Sequence, residues 1–194
     1  MDINRRIAKR VKELREAEGY SLDALAERSQ VSRSHISLIE RGQSSPTASV
    51  LDKLSAALGV TLASLFEESA SDEPPSPLAR SSDQPVWTDP VSGYVRRNLS
   101  PDGVSPIQLV EVVFPPGKRV AYETDARENE THQQIWVIDG AMDLLVGTQS
   151  WQLKAGDCLA MRLDCPIVFS NPGRKNARYL VALTTLGSTQ RKWA

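Results

Sequence analysis

The stretch RENETHQQIWVIDG, Arg127 to Gly140, sets a guanidinium and two carboxamides at Arg127, Asn129 and Gln133 around an apolar run. None of these groups exchanges a proton near neutral pH. They donate and accept hydrogen bonds, and an arginine offers a fork of donors that matches a carboxylate. The chemistry they suit is recognition of a polar ligand. A second set lies nearer the start of the chain: Ser32, Arg33, Ser34, Ser37, Arg41, Gln43 and Ser44 place short hydroxyls beside cations. No catalytic residue is assigned. His35 and His132 are the two histidines, and no Ser/His/Asp set, facing carboxylate pair or phosphate-cradling glycine loop stands out. Cys158 and Cys165 lack CxxC spacing and read as small buried hydrophobes, with redox-sensitive thiols as the alternative.

Elements that must position these groups fall into two kinds. Ser69 to Pro85, SASDEPPSPLARSSDQP, holds four of the 12 prolines and almost no apolar side chain, so it reads as a flexible linker. Before it, apolar residues recur at helical spacing; after it come short β-rich runs. The expected organisation is a helical domain at 1–68, a linker at 69–85 and an all-β domain at 86–194.

In the helical part, Ile7, Val11 and Leu14 share one face of a first helix ending near Gly19. Ser21 caps a second helix with Leu22, Leu25 and Ala26 inward. Ser32 caps a third with Ile36 and Ile39 inward, closed at Gly42. Thr47 caps a fourth containing Val50, Leu51, Leu54 and Leu58, and a fifth is expected at Leu62–Phe66. In the β part, IQLVEVVF, QQIWVID, AMDLLVG, CLAMRL and YLVALTTL have strand length and composition. Asp139-Gly140, Ala155-Gly156-Asp157 and Asn171-Pro172-Gly173 mark turns.

The run from Tyr20 to Gly42, YSLDALAERSQVSRSHISLIERG, resembles the helix-turn-helix of phage repressors and XRE-type bacterial regulators. Ala26 supplies the small residue where two helices cross, and Val31 and Ile36 the apolar contacts. Arg33, Ser34 and Ser37 lie outward near the start of the second helix, where a major groove would meet them. Arg33 suits either guanine O6 and N7 or a phosphate. Arg41, Gln43 and Ser44 are expected to hold register on phosphates. The resemblance further implies an ion pair between Arg15 and Glu40. It departs from the family at Gln30, where glycine is common.

The second half resembles a cupin barrel, on Pro116-Gly117, QQIWVIDGAMDLLVG and AGDCLAMRLDCPIVFSNPG. The resemblance implies a metal held by three residues of a first motif and one of a second. Those places fall on Arg127, Asn129, Gln133 and Ile167, which cannot hold a divalent first-row metal, so no metal or cofactor is expected. A pocket is expected to remain, with Tyr122, Arg127, Asn129 and Gln133 at its polar edge and Ile135, Ile167, Phe169 and Asn171 on its strands. For Arg127 and Gln133 a plain solvated loop is the competing reading.

Bulk properties agree with a cytoplasmic chain of two small domains: 194 residues, 40% hydrophobic, 24% charged, net charge −1, with no signal peptide or membrane span apparent. Arg5, Arg6, Lys9, Arg10, Lys12 and Arg15 crowd the N-terminal helix and suit an anionic partner or a solvated face. Together these features imply a non-enzymatic, XRE-type transcription regulator that binds operator DNA as a homodimer or higher homo-oligomer. Its barrel is expected to sense a small molecule, dimerise the chain, or both. An enzyme with a helix-turn-helix appendage and a barrel serving only as scaffold are the alternatives.

Overall fold

The computed structural model describes residues 2–67, 76–103, 105–123 and 130–186. Among them, four α-helices precede ten strands: α1 (Ile3–Ala17), α2 (Leu22–Ser29), α3 (Arg33–Glu40) and α4 (Ala48–Ala57). Side-chain oxygens of Ser21, Ser32 and Thr47 accept from Ala24 N, His35 N and Val50 N at 3.0, 3.3 and 3.3 Å. Each satisfies an amide that the helix itself leaves unpaired. Ile7, Val11, Leu25, Ile36, Ile39, Leu51 and Leu54 are all buried where the helices meet.

The fifth helix expected at Leu62–Phe66 is instead a single 3-10 turn, Ala63–Phe66. Ser64 N donates to Thr61 O at 3.1 Å and Leu65 N to Leu62 O at 3.3 Å, a spacing of three residues. Four residues are too few to repay nucleation of an α-helix, so the tighter turn wins. Two cations of α1 hold it: Arg6 Nη1 donates to Phe66 O (3.5 Å) and Arg10 Nε to Ser64 O (3.2 Å). Arg15 turns inward as well, so half of the basic cluster on α1 braces the bundle.

The strands are β1 (Val86–Thr88), β2 (Val95–Asn98), β3 (Ile107–Phe114), β4 (Arg119–Tyr122), β5 (Glu130–Asp139), β6 (Ala141–Val146), β7 (Gln149–Lys154), β8 (Cys158–Arg162), β9 (Ile167–Ser170) and β10 (Ala177–Leu186). They form two antiparallel sheets, β1-β2-β3-β10-β5-β8 and β4-β9-β6-β7. The chain changes sheet at Gly140, where φ is +81° and an added Cβ would lie 2.9 Å from both Ala177 Cα and Asn176 O. Only glycine fits there. Along β5, Thr131, Gln133, Ile135 and Val137 are buried while Gln134 and Trp136 face outward, the alternation that a half-buried strand imposes.

The bundle and the sandwich share one apolar core. Phe66 packs against Trp87, Trp87 against Tyr94 and Tyr94 against Phe114, each pair with ring centroids 5.7 Å apart. Polar bonds flank this column: Thr61 Oγ1 donates to Gln108 Oε1 at 2.6 Å, and Asn98 Nδ2 to Ala63 O at 3.1 Å. Burying rings of this size contributes roughly 1.5–3 kcal/mol each, so the two units are docked on each other despite the Pro-rich stretch between them. Among the described residues no helix is long and apolar enough to cross a membrane.

Candidate nucleic-acid interface and ligand cavity

The turn between α2 and α3 sets the geometry of the interface. α2 ends at Gln30, whose backbone takes the left-handed conformation (φ 55°, ψ 27°) that glycine usually occupies. Its Nε2 donates to Glu27 O at 2.7 Å, a local bond that offsets part of the strain. Val31 is buried behind the turn, and α3 leaves with Ile36 and Ile39 pointing into the bundle.

That orientation fixes the other side of α3. Ser32, Arg33, Ser34, Arg41 and Gln43 are exposed, and Ser37 and Ser44 are half-buried. Arg33 Nε sits 3.1 Å from Asp23 Oδ1, but the two side chains are 62% and 77% exposed, so this pair holds Arg33 only weakly. Arg41 Nε donates to Ser37 O at 3.1 Å, and Ser44 Oγ lies 3.4 Å from His35 Nε2. The residues singled out for DNA contact therefore share one side of α3 and the loop after it. Leu38 belongs with them: it is 38% exposed, four positions on from Ser34. Its helical spacing was a usable signal, because i and i+4 share a face.

Behind α3, Arg15 Nε and Nη2 donate to Glu40 Oε1 and Oε2 at 2.6 and 2.9 Å. Arg15 Nη1 also donates to Tyr20 O at 2.9 Å, joining α1, α3 and the α1–α2 turn. Bonding to Glu40 raises the Arg15 pKa despite the cost of burial.

The sandwich and the bundle border a cavity of about 70 Å³. Tyr122, Gln133, Ile167 and Phe169, four residues expected at a pocket, border it together with Tyr94, Arg96, Tyr179 and apolar residues of β3 and β10. Asp52, Thr61 and Leu62 close its bundle end. Burial holds the Tyr122 and Tyr179 hydroxyls well above their ordinary pKa, so they act as neutral hydrogen-bonding groups. Tyr94 Oη and Tyr122 Oη lie 3.1 Å apart.

Two residues expected at the pocket sit elsewhere. Ile135 is fully buried in the core but does not border the cavity. Asn171 is taken up by a turn: its Nδ2 donates to Phe114 O (2.8 Å) and Lys175 O (2.9 Å), and its Oδ1 accepts from Gly173 N (2.9 Å). Arg127 and Asn129 lie outside the described residues. Cys158 is exposed on β8 rather than buried, because strand alternation turns it outward with Ala160 and Arg162. Cys165 borders the cavity, and burial pushes its thiol pKa up.

Arg96 was not anticipated. Arg96 and Arg97 are adjacent on β2, and alternation sends one inward and the other out, but the sequence does not say which. Tyr179, Val181 and Leu183 had a readable period-2 signal on β10. Of the positions implied for a metal, Gln133 offers an amide and Ile167 no donor atom, so this set does not fit a divalent cation.

Fold and site together define a helix-turn-helix module joined to a two-sheet antiparallel β-sandwich. Residues 11–65 match the family model described as Helix-turn-helix. The chain is 28% identical over 178 residues to the HTH-type transcriptional regulator PuuR of Escherichia coli (strain K12), covering 91% of this chain and 93% of that protein. It is 26% identical over 170 residues to the HTH-type transcriptional regulator SutR of the same organism, with 87% and 89% covered. A crystal structure of an HTH_3 family transcriptional regulator from Vibrio cholerae superposes with a TM-score of 0.77 at 24% identity, over 95% of this chain and 98% of that one. Residues 11–65 thus carry a helix-turn-helix, and over most of its length the chain is similar to HTH-type transcriptional regulators.

Proposed function

We propose that this protein reads operator DNA with α3 as a homodimer, and that the cavity of its sandwich takes a small-molecule effector. The observation that carries the first part is the division of α3: Ile36 and Ile39 are buried, while Arg33, Ser34 and Leu38 are exposed on the free side. A helix in the major groove presents such a polar side with an occasional apolar residue. Arg33 suits guanine, the serines suit base edges or bridging waters, and Leu38 suits a thymine methyl. Arg41, Gln43 and Ser44 suit phosphates, which position the helix without reading sequence. The functional division is a DNA-binding module at 1–68, a connecting segment at 69–85 and an effector and dimerisation module at 86–194.

One short recognition helix spans too few base pairs for a specific operator. A two-fold dimer reads two half-sites about 34–36 Å apart. The effector acts by binding one arrangement of the DNA-binding modules more tightly than another. The shared core supports this coupling, since the cavity is bordered by both units.

Selection from a randomised duplex pool tests the reading. An enriched inverted repeat with half-sites about 10–10.5 base pairs apart is expected. A pool that never enriches a sequence contradicts operator recognition, and enrichment of a lone half-site contradicts the dimer.

A further inference from the structure

Arg96 is 7% exposed and projects from β2 into the cavity wall. Its Nε donates to Asn98 Oδ1 at 3.3 Å, while its Nη2 is buried with no hydrogen-bond partner. The guanidinium carbon also lies 5.3 Å from the centre of the Phe66 ring, so an aromatic face covers one side of the cation. Among the described residues its side-chain hydrogen bond goes to a neutral amide, and no carboxylate oxygen lies within 4.0 Å of its nitrogens. An arginine keeps its charge at any physiological pH, and a buried cation with an idle donor is costly unless an anion meets it.

We infer that the cavity takes a small monocarboxylate, with its carboxylate on Arg96 and its apolar end against Ile167, Phe169 and Val181. This names the ligand class for the effector cavity proposed above and rests on that reading. Two features select the class. A single guanidinium balances one negative charge, and its planar fork matches a carboxylate. The space of about 70 Å³ suits a few heavy atoms, and the hydroxyls of Tyr94, Tyr122 and Tyr179 supply neutral partners nearby.

The same contacts give the ligand a route to the DNA-binding module. Phe66 belongs to the 3-10 turn braced by Arg6 and Arg10 of α1, and Asn98, which holds Arg96 Nε, also donates to Ala63 O. A carboxylate that draws the guanidinium toward the cavity centre changes its packing on Phe66 and its bond to Asn98. Both changes bear on the bundle.

The test is thermal unfolding of the full chain with acetate, propionate, butyrate, valerate and benzoate. The matching primary amides and inorganic phosphate serve as controls. At least one carboxylate is expected to raise Tm saturably, by roughly 5–10 °C at about 100 times its Kd, while its amide and phosphate do not. Arg96→Gln abolishes the shift, and Arg96→Lys keeps a weaker one. The inference is overturned if no carboxylate in the series shifts Tm, if the amides match them, or if Arg96→Gln retains the full shift. The amide comparison uses the unaltered protein, so it decides the matter even if Arg96→Gln fails to fold. Titration of a selected duplex then separates this inference from the effector reading. A carboxylate that binds through Arg96 and leaves duplex affinity unchanged sustains the site and overturns effector control. A duplex response to a neutral or cationic compound, with every carboxylate silent, overturns the site and leaves effector control standing.

Discussion

Asp89, just after β1, accepts a 2.8 Å hydrogen bond from the backbone amide of Ala48, the first residue of α4 and 41 positions earlier in the chain. A carboxylate from the sandwich thereby meets the positive end of a helix in the DNA-binding module. Its other oxygen accepts from Ser92 N and Oγ, both at 2.6 Å. Asp89 is 3% exposed, so nothing in solvent replaces these bonds. Asp89→Ala leaves three donors without their acceptor, and a loss of about 3 kcal/mol is expected, with Asp89→Asn losing less. Urea unfolding measures it. A loss below about 1 kcal/mol would show that the cap does not fasten the two units.

Arg15 and Glu40 form a paired bond in which both side chains are largely buried, 12% and 8% exposed. Removing one partner strands the other. Glu40→Ala is expected to cost about 3–5 kcal/mol, whereas Arg15→Met with Glu40→Leu restores much of the loss. A double-mutant cycle by urea unfolding tests this, and additive losses would count against the pairing.

Gly140→Ala forces a methyl group against the backbone of Asn176 and Ala177 and imposes a positive φ on alanine. Backbone cannot yield as a flexible side chain can. Destabilisation of about 3 kcal/mol or more is expected by thermal or urea unfolding. A variant as stable as the parent would contradict the close approach of Gly140 to the backbone of Asn176 and Ala177.

Glu67 has its pKa raised, chiefly by burial and then by Asp102, against the opposing pull of Arg10, Gln108 and Ser64. The folded chain therefore holds this proton to a higher pH than the unfolded chain does. As pH rises from the unfolded carboxyl pKa, about 4.3, through the raised folded value, stability falls on account of this residue. Glu67→Gln is expected to flatten that decline. Parallel curves of Tm against pH for the two proteins would contradict it.

The helical half was readable because its signals are local. Ser21, Ser32 and Thr47 each cap the helix they were expected to cap, and the apolar spacing around Ile7, Leu25, Ile36 and Leu51 marks the inner faces. Long strands with strict alternation, such as β5 and β10, were equally plain. The strands β1, β2, β4 and β7 were not: the first three run to only three or four residues, and β7 buries only Leu153. Gln133, which borders the cavity, was recognisable through motif and period. Arg96 was hidden because its inward aim depends on pairing between β2 and β3, partners that only tertiary structure brings together. Asn171 misled for the opposite reason: its side chain serves the turn that its own sequence, Asn-Pro-Gly, announces.

The account stands on α3 as the element that reads sequence, and one titration tests it most directly. Fluorescence anisotropy compares a selected duplex with a random one, for the parent chain and for Arg33→Ala with Ser37→Ala. Both substitutions lie on the free side of α3 and leave the Ser32 cap and the Ile36–Ile39 core intact. Affinity for the selected duplex is expected to fall about 5–150-fold or more, the range for losing one good base contact, while random-duplex affinity changes far less. Equal losses on both duplexes, or none on either, would contradict sequence reading by α3.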